Sequence, residues 1–220
     1  MKTTQSNSIS DNDLNAELLM MMVAAPDTTS ALICSVVNQV LQHPDIHKRL
    51  VSELTAATAA GNLDHPVATF AQTKSLPFMT ACIQESARLF PSIPVLIPRR
   101  VSQGGMVLKG YFIPEKTAIG ASAAVINRNT DVFGADAAAF RPERWLENSD
   151  RVAQMHRFMF SWGFGTRKCV GKNLALLETY KFCFQVSSLT TLTMSLEALS
   201  ALLATLADRM ALLSYLETLS

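Results

Sequence analysis

The chain has 220 residues, of which 19 are basic and 18 acidic; the formal net charge is +1, with 49% apolar and 17% charged side chains. That composition excludes disorder and collagen-like repeats, and basic residues scattered without a stripe give no footprint for nucleic acid. The N-terminus MKTTQSNSISDNDLNAE lacks the charged-then-apolar layout of a signal peptide, and no window of about 18 residues is continuously apolar, so no membrane crossing is expected.

In chain order, AELLMMMVAA and SALICSVVNQVLQ carry apolar side chains almost all round, as a helix buried in the centre of a domain does, with Pro26 interrupting it. HPDIHKRLVSELTAAT and SLPFMTACIQESARLF each keep helical spacing behind an early proline and predict two helices running from surface to core. Seven of the nine prolines fall between Pro66 and Pro142, which marks a loop-rich middle. There PSIPVLIP predicts extended chain, because a residue before proline avoids the helical region, and MVLKGYFIPEKTAI alternates around Gly110 like a small hairpin. Residues 172–220 contain neither glycine nor proline and predict helix. The expected fold is mainly α with a small β element.

The four cysteines, at positions 34, 82, 169 and 183, show no CxxC spacing, which points to reduced thiols and away from a zinc site or a disulfide framework. Cys34, Cys82 and Cys183 lie inside apolar helical patterns and read as small buried hydrophobes. Cys169 differs, because SWGFGTRKCVGKNLALLE places it between a glycine-rich loop and a helix start. Helix N-H groups, the positive end of the helix dipole, Arg167 and Lys168 all favour a thiolate there. Gly163, Gly165 and Gly171 would let the backbone approach something flat and bulky. Such a thiolate could be a nucleophile, a redox sensor or a metal ligand, but the nucleophile reading needs a base. His43, His47 and His65 lie in polar stretches and His156 precedes the loop without a recognisable Cys/His motif.

WGFGTRKCVG resembles the haem-binding signature of the cytochrome P-450 family, F-x-x-G-x-R-x-C-x-G, with Gly165, Arg167, Cys169 and Gly171 in register and Trp162 in place of the usual Phe. The resemblance implies that Cys169 is the axial ligand of a haem iron, haem b being the cofactor, with Trp162 packed near the sulfur. QESAR and FRPERW are similar to the family's E-x-x-R helix and its later arginine, which makes Glu85, Arg88 and Arg144 a buried structural network behind the cysteine loop. AAPDTTS resembles A-G-x-D-T-T of the family's long central helix, with Ala25 at the usual glycine position. It implies that Asp27 and Thr28 relay protons where the helix distorts to admit dioxygen. Taken alone, Asp27 behind a proline also reads as a helix N-cap. In IPRRV, Arg99, or its neighbour Arg100, would join Arg167 in holding haem propionates.

The resemblance covers residues 13–186, a haem-binding C-terminal half truncated before the central long helix, behind a polar segment 1–12. A divergent leucine-rich tail, 187–220, follows. In that tail Leu192, Leu196, Leu199, Leu203, Leu206, Met210 and Leu213 repeat at four and three, which suits helix packing and self-association through residues 192–216. The implied activity is a haem-dependent monooxygenase that inserts one atom of O2 into a small lipophilic organic substrate, in secondary-metabolite biosynthesis. An NADPH-dependent cytochrome reductase would supply electrons. The competing reading is a non-catalytic remnant with a helical interaction tail. No membrane anchor is expected within the chain, whereas full-length members of this type sit on the endoplasmic reticulum.

Overall fold

The computed structural model describes residues 9–64 and 67–192, with side chains as far as 186. His65 and the leucine stripe from Leu192 onward lie outside the described side chains. The first helix, α1, spans Asp11–Gln42 and starts at a capping box. Ser10 Oγ accepts from the Asp13 N-H at 3.2 Å, while the Asp13 carboxylate accepts from the Ser10 hydroxyl at 2.7 Å. Pro26 lies inside this helix without ending it, contrary to the expected interruption. Pro26 deprives the Met22 carbonyl of its helical donor, and two residues further on the Thr28 hydroxyl donates to the Ala24 carbonyl at 2.9 Å. Asp27 is therefore interior to α1 and caps no new helix.

The two halves of α1 differ in environment. From Thr29 onward, Leu32, Val36, Val37 and Val40 are buried, whereas Leu18, Leu19, Met20, Met21, Met22 and Val23 are all exposed. All-round apolarity predicted burial throughout; the described chain packs neighbours only against the second half. Averaged over 18 residues, part of α1 is also long and apolar enough to cross a membrane by length and composition. The expectation that no segment could do so counted only unbroken apolar runs, and an average tolerates the scattered Thr, Ser and Asp of α1.

Helix α2, Pro44–Ala59, turns back at His43 and buries Ile46, Leu50 and Leu54. After the short α3, Phe70–Lys74, comes α4, Pro77–Leu89, the centre of the molecule. From Phe78 to Leu89 every residue of α4 is buried except Thr80 and Gln84. Its N-terminus is held by α2, since the Glu53 carboxylate accepts from the backbone N-H groups of Phe78 and Met79 at 2.7 and 2.9 Å. One face of α4 joins α1, α2 and the C-terminal helix α8, Lys172–Leu192, in a core that includes Cys82, Cys183, Tyr180 and Phe184. The opposite face meets a second cluster of Ala81, Phe133, Ala137, Trp145 and Met155.

Two antiparallel ladders lie between these helical parts. Strand β1, Leu96–Arg100, pairs with β4, Ala118–Ser122, and encloses the hairpin of β2, Met106–Leu108, and β3, Tyr111–Ile113. The hairpin turns through Lys109 and Gly110, both at positive φ, which is the two-residue geometry that matches strand twist. Short helices α5, Ala123–Ile126, and α6, Thr130–Phe133, lead to a 3-10 turn at Pro142–Leu146, and α7, Ser149–Phe158, precedes the cysteine loop.

Candidate cysteine-loop site

Glu85 and Arg88 are completely buried on the inner face of α4, one turn apart, and the chain brings Arg144 to them from the Pro142–Leu146 turn. One Glu85 oxygen accepts from Arg88 Nη2 and Arg144 Nε, both at 2.8 Å, and from the Arg141 backbone N-H at 3.0 Å. The other accepts from Arg88 Nε and Trp145 Nε1 at 2.9 Å. The guanidinium groups also donate to backbone carbonyls, Arg88 to Asn127 and Ala137 and Arg144 to Phe133 and Asp136. Arg88 also lies 5.0 Å from the centroid of the Phe133 ring.

Asp136 extends the network to Arg144 at 3.1 Å and Arg141 at 2.5 Å, and Arg141 also pairs with Glu147. Three arginines thus face three carboxylates, so the buried charges are compensated. Burial alone would raise the Asp136 carboxyl, but hydrogen bonds from Arg144 and Arg141 win and hold it below the usual carboxylate range.

The cysteine loop runs on from α7. Phe160 O accepts the Gly163 N-H at 3.0 Å, and Trp162 O accepts the Cys169 N-H at 2.8 Å, closing the segment between them. Gly165 sits in the loop at φ +70°, a conformation costly for any residue with a Cβ. Trp162 packs against the main core, and Lys172 Nζ lies 5.9 Å from its ring centroid. Helix α8 starts at Lys172, with Gly171 O taking the first helical N-H, from Ala175. Cys169 therefore lies two residues outside that cap, further from the helix dipole than the sequence suggested. Its thiol is exposed, as are Phe164, Val170 and Leu174 around it. Arg167 is exposed in the same loop and forms no ion pair among the described residues.

The other expected residues stand on other elements. Asp27 is exposed and Thr28 half-buried on α1, and Arg99 is exposed on β1 opposite Ile119. Ser92 Oγ donates to the Thr28 carbonyl at 2.8 Å, tying α1 to the extended segment before β1. No hydrogen bond or ion pair joins Asp27, Thr28 or Arg99 to the cysteine loop among the described residues. Asn127 went unnoticed in the sequence, although it is fully buried and bonds both α4 and the cysteine loop. Nothing in INRNT sets it apart from an ordinary loop asparagine.

A closed, glycine-bearing loop presenting one exposed thiol, backed by a buried Glu-Arg-Arg network on a mainly helical frame, defines the class of fold. The profile of the cytochrome P-450 family matches residues 1–194. The chain is 40% identical over 181 residues to a cytochrome P450 monooxygenase of Alternaria alternata, covering 82% of this chain and 48% of that protein. It is 39% identical over 160 residues to one of Aspergillus flavus, covering 73% and 31%, and 37% identical over 158 residues to one of Emericella nidulans, covering 72% and 32%. This chain belongs to the cytochrome P-450 family, and it spans between about a third and a half of the length of these relatives.

The family generally uses a thiolate-bound haem, and the residues present fit one. A Cβ built at Gly165 would meet nothing within 4 Å, so the loop leaves open space there. Exposed apolar side chains, Phe164, Val170 and Leu174, stand close to Cys169 in the chain, as suits the apolar face of a macrocycle, and the Arg167 guanidinium has no ion-pair partner among the described residues.

Proposed function

We propose that this chain is the haem-binding part of a monooxygenase that inserts one atom of O2 into a small lipophilic substrate in fungal secondary metabolism. The observation that carries the reading is the exposed Cys169 thiol on a hydrogen-bonded loop flanked by Phe164, Val170 and Leu174. Haem b held there by Cys169 would supply oxygen activation, with the thiolate as its electron-donating ligand.

The chain's own residues divide the remaining work. Cys169 Sγ would hold the iron, while Arg167 and Arg99 would hold the group by its propionates. Gly165 keeps a side chain out of the way, and Trp162 fixes the loop against the core. Thr28 Oγ1 and the Asp27 carboxylate hold and pass protons; to do so Thr28 gives up its bond to the Ala24 carbonyl. Glu85, Arg88 and Arg144 keep the frame behind the loop rigid and take no part in the chemistry.

Electrons come from an NADPH-dependent cytochrome reductase, and the endoplasmic reticulum membrane is the site of action in a longer protein. The test is reductase-supported turnover of the haem-loaded chain with apolar substrates. Oxygenated product formed with NADPH consumption supports the reading. A folded chain that binds haem loosely or not at all and forms no product would be the non-catalytic alternative.

A further inference from the structure

We infer that Asn127 is a positioning residue that fixes the entry of the cysteine loop against α4 and so sets where the Cys169 thiol stands. Asn127 is completely buried at the C-terminal end of α5, and its amide is fully used. Nδ2 donates to the Arg88 carbonyl at 3.0 Å and to Ser161 Oγ at 2.9 Å, while Oδ1 accepts the Phe160 N-H at 2.8 Å. Its own carbonyl takes Arg88 Nη1 at 2.7 Å, which locks it to the Glu85 network.

The physical reason lies at the end of α4. The last carbonyls of a helix have no partner within it. Here Ala87 O takes the Ser161 hydroxyl at 2.6 Å, Arg88 O takes Asn127 Nδ2, and Leu89 O takes Arg128 Nη2 at 2.8 Å. One end of the network helix is therefore capped by Asn127 and Arg128, which follow α5, and by Ser161, which opens the cysteine loop. From Phe160 the path continues through Gly163 N-H to Phe160 O and Cys169 N-H to Trp162 O.

Only an amide of this length supplies two donors and one acceptor at once. Aspartate keeps the acceptor for Phe160 and loses both donors; alanine loses all three and leaves buried polar groups unpaired.

The proposal concerns loop position and is measured first without haem. Amide hydrogen exchange of the full chain is compared for wild type, Asn127→Ala, Asn127→Asp and Val36→Ala, a core change on α1 that removes none of these hydrogen bonds. The amides of Gly163 and Cys169, neither of which touches Asn127, should exchange roughly tenfold faster in both Asn127 variants, as expected for a lost buried hydrogen bond. The Val36→Ala chain should show no such local loss. Unchanged protection at Gly163 and Cys169, or acceleration shared equally by Val36→Ala, would overturn the role. If Asn127→Ala does not fold, Asn127→Asp and Ser161→Ala carry the same test, the latter with a smaller change in the same direction.

A second readout rests on the proposed haem site: the carbon monoxide band of the reduced, haem-loaded Asn127→Asp chain should lose its thiolate-type red shift in part. Wild-type protein that takes no haem would defeat the functional reading and leave the exchange result standing.

Discussion

The backbone N-H of Cys169 lies 2.8 Å from the carbonyl oxygen of Trp162, and this bond turns the chain back so that the thiol faces outward while the indole packs inward. The other thiols have the opposite fate. Burial pushes the Cys183 thiol up to about 12 and Cys82 higher still, so neither is ionised near neutrality.

An aromatic disulfide reagent should therefore find one fast thiol in the native, haem-free chain. Cys34, half-buried, should follow slowly, and Cys82 and Cys183 should react only on unfolding. Cys169→Ser should abolish the fast phase; its survival in that variant would contradict the assignment.

Glu85→Gln tests the network. Five N-H groups converge on the Glu85 carboxylate, and two of the donors are buried arginines. The substitution removes the carboxylate partner of Arg88, leaves Arg144 with Asp136 alone and turns an amide NH2 toward donors, at a cost of about 3 to 5 kcal/mol. That is a large share of an ordinary domain's ~5 to 15 kcal/mol. A urea midpoint within error of wild type would show that the network contributes little.

Acid should weaken the same region. The Asp136 carboxyl titrates below its unfolded value of 3.8, because the hydrogen bonds from Arg144 and Arg141 outweigh its desolvation. The unfolded chain then binds the proton more tightly, so the stabilisation from this group is present above 3.8 and is lost as pH falls through the folded value. Urea unfolding followed downward from about pH 6 should show this loss, and Asp136→Asn should flatten that part of the profile. Partial exposure of the side chain keeps the effect modest.

Thr28→Ala should leave the fold intact, since the hydroxyl bonds only carbonyls of its own helix. In the haem-loaded chain it should lower product formed per O2 consumed, while NADPH oxidation continues. Unchanged coupling would remove Thr28 from the proton path.

Local signals read α1, α2, α4 and α8, the extended chain leading into β1 and the hairpin at Gly110 from the sequence, because proline placement and apolar spacing act within a few residues; the short α3, α5 and α6, α7 and the β1–β4 pairing were not read. The cysteine loop was legible for the same reason, since Gly165, Arg167 and Cys169 stand within one short motif. Glu85 and Arg88 alone would read as an ordinary surface pair; only Arg144, 59 positions from Glu85, makes them a buried cluster. Asn127 stayed hidden because its partners Arg88 and Phe160 lie 39 and 33 positions away. The exposed first half of α1 was missed because apolar periodicity reports what a helix could bury, without reporting what packs against it.

The most direct test of thiolate ligation is the difference spectrum of the haem-reconstituted chain, reduced under carbon monoxide. Cys169 as the iron ligand predicts a red-shifted Soret band in wild type that disappears in Cys169→Ser. A well-folded wild-type chain without that band, or a Cys169→Ser chain that keeps it, would contradict the account.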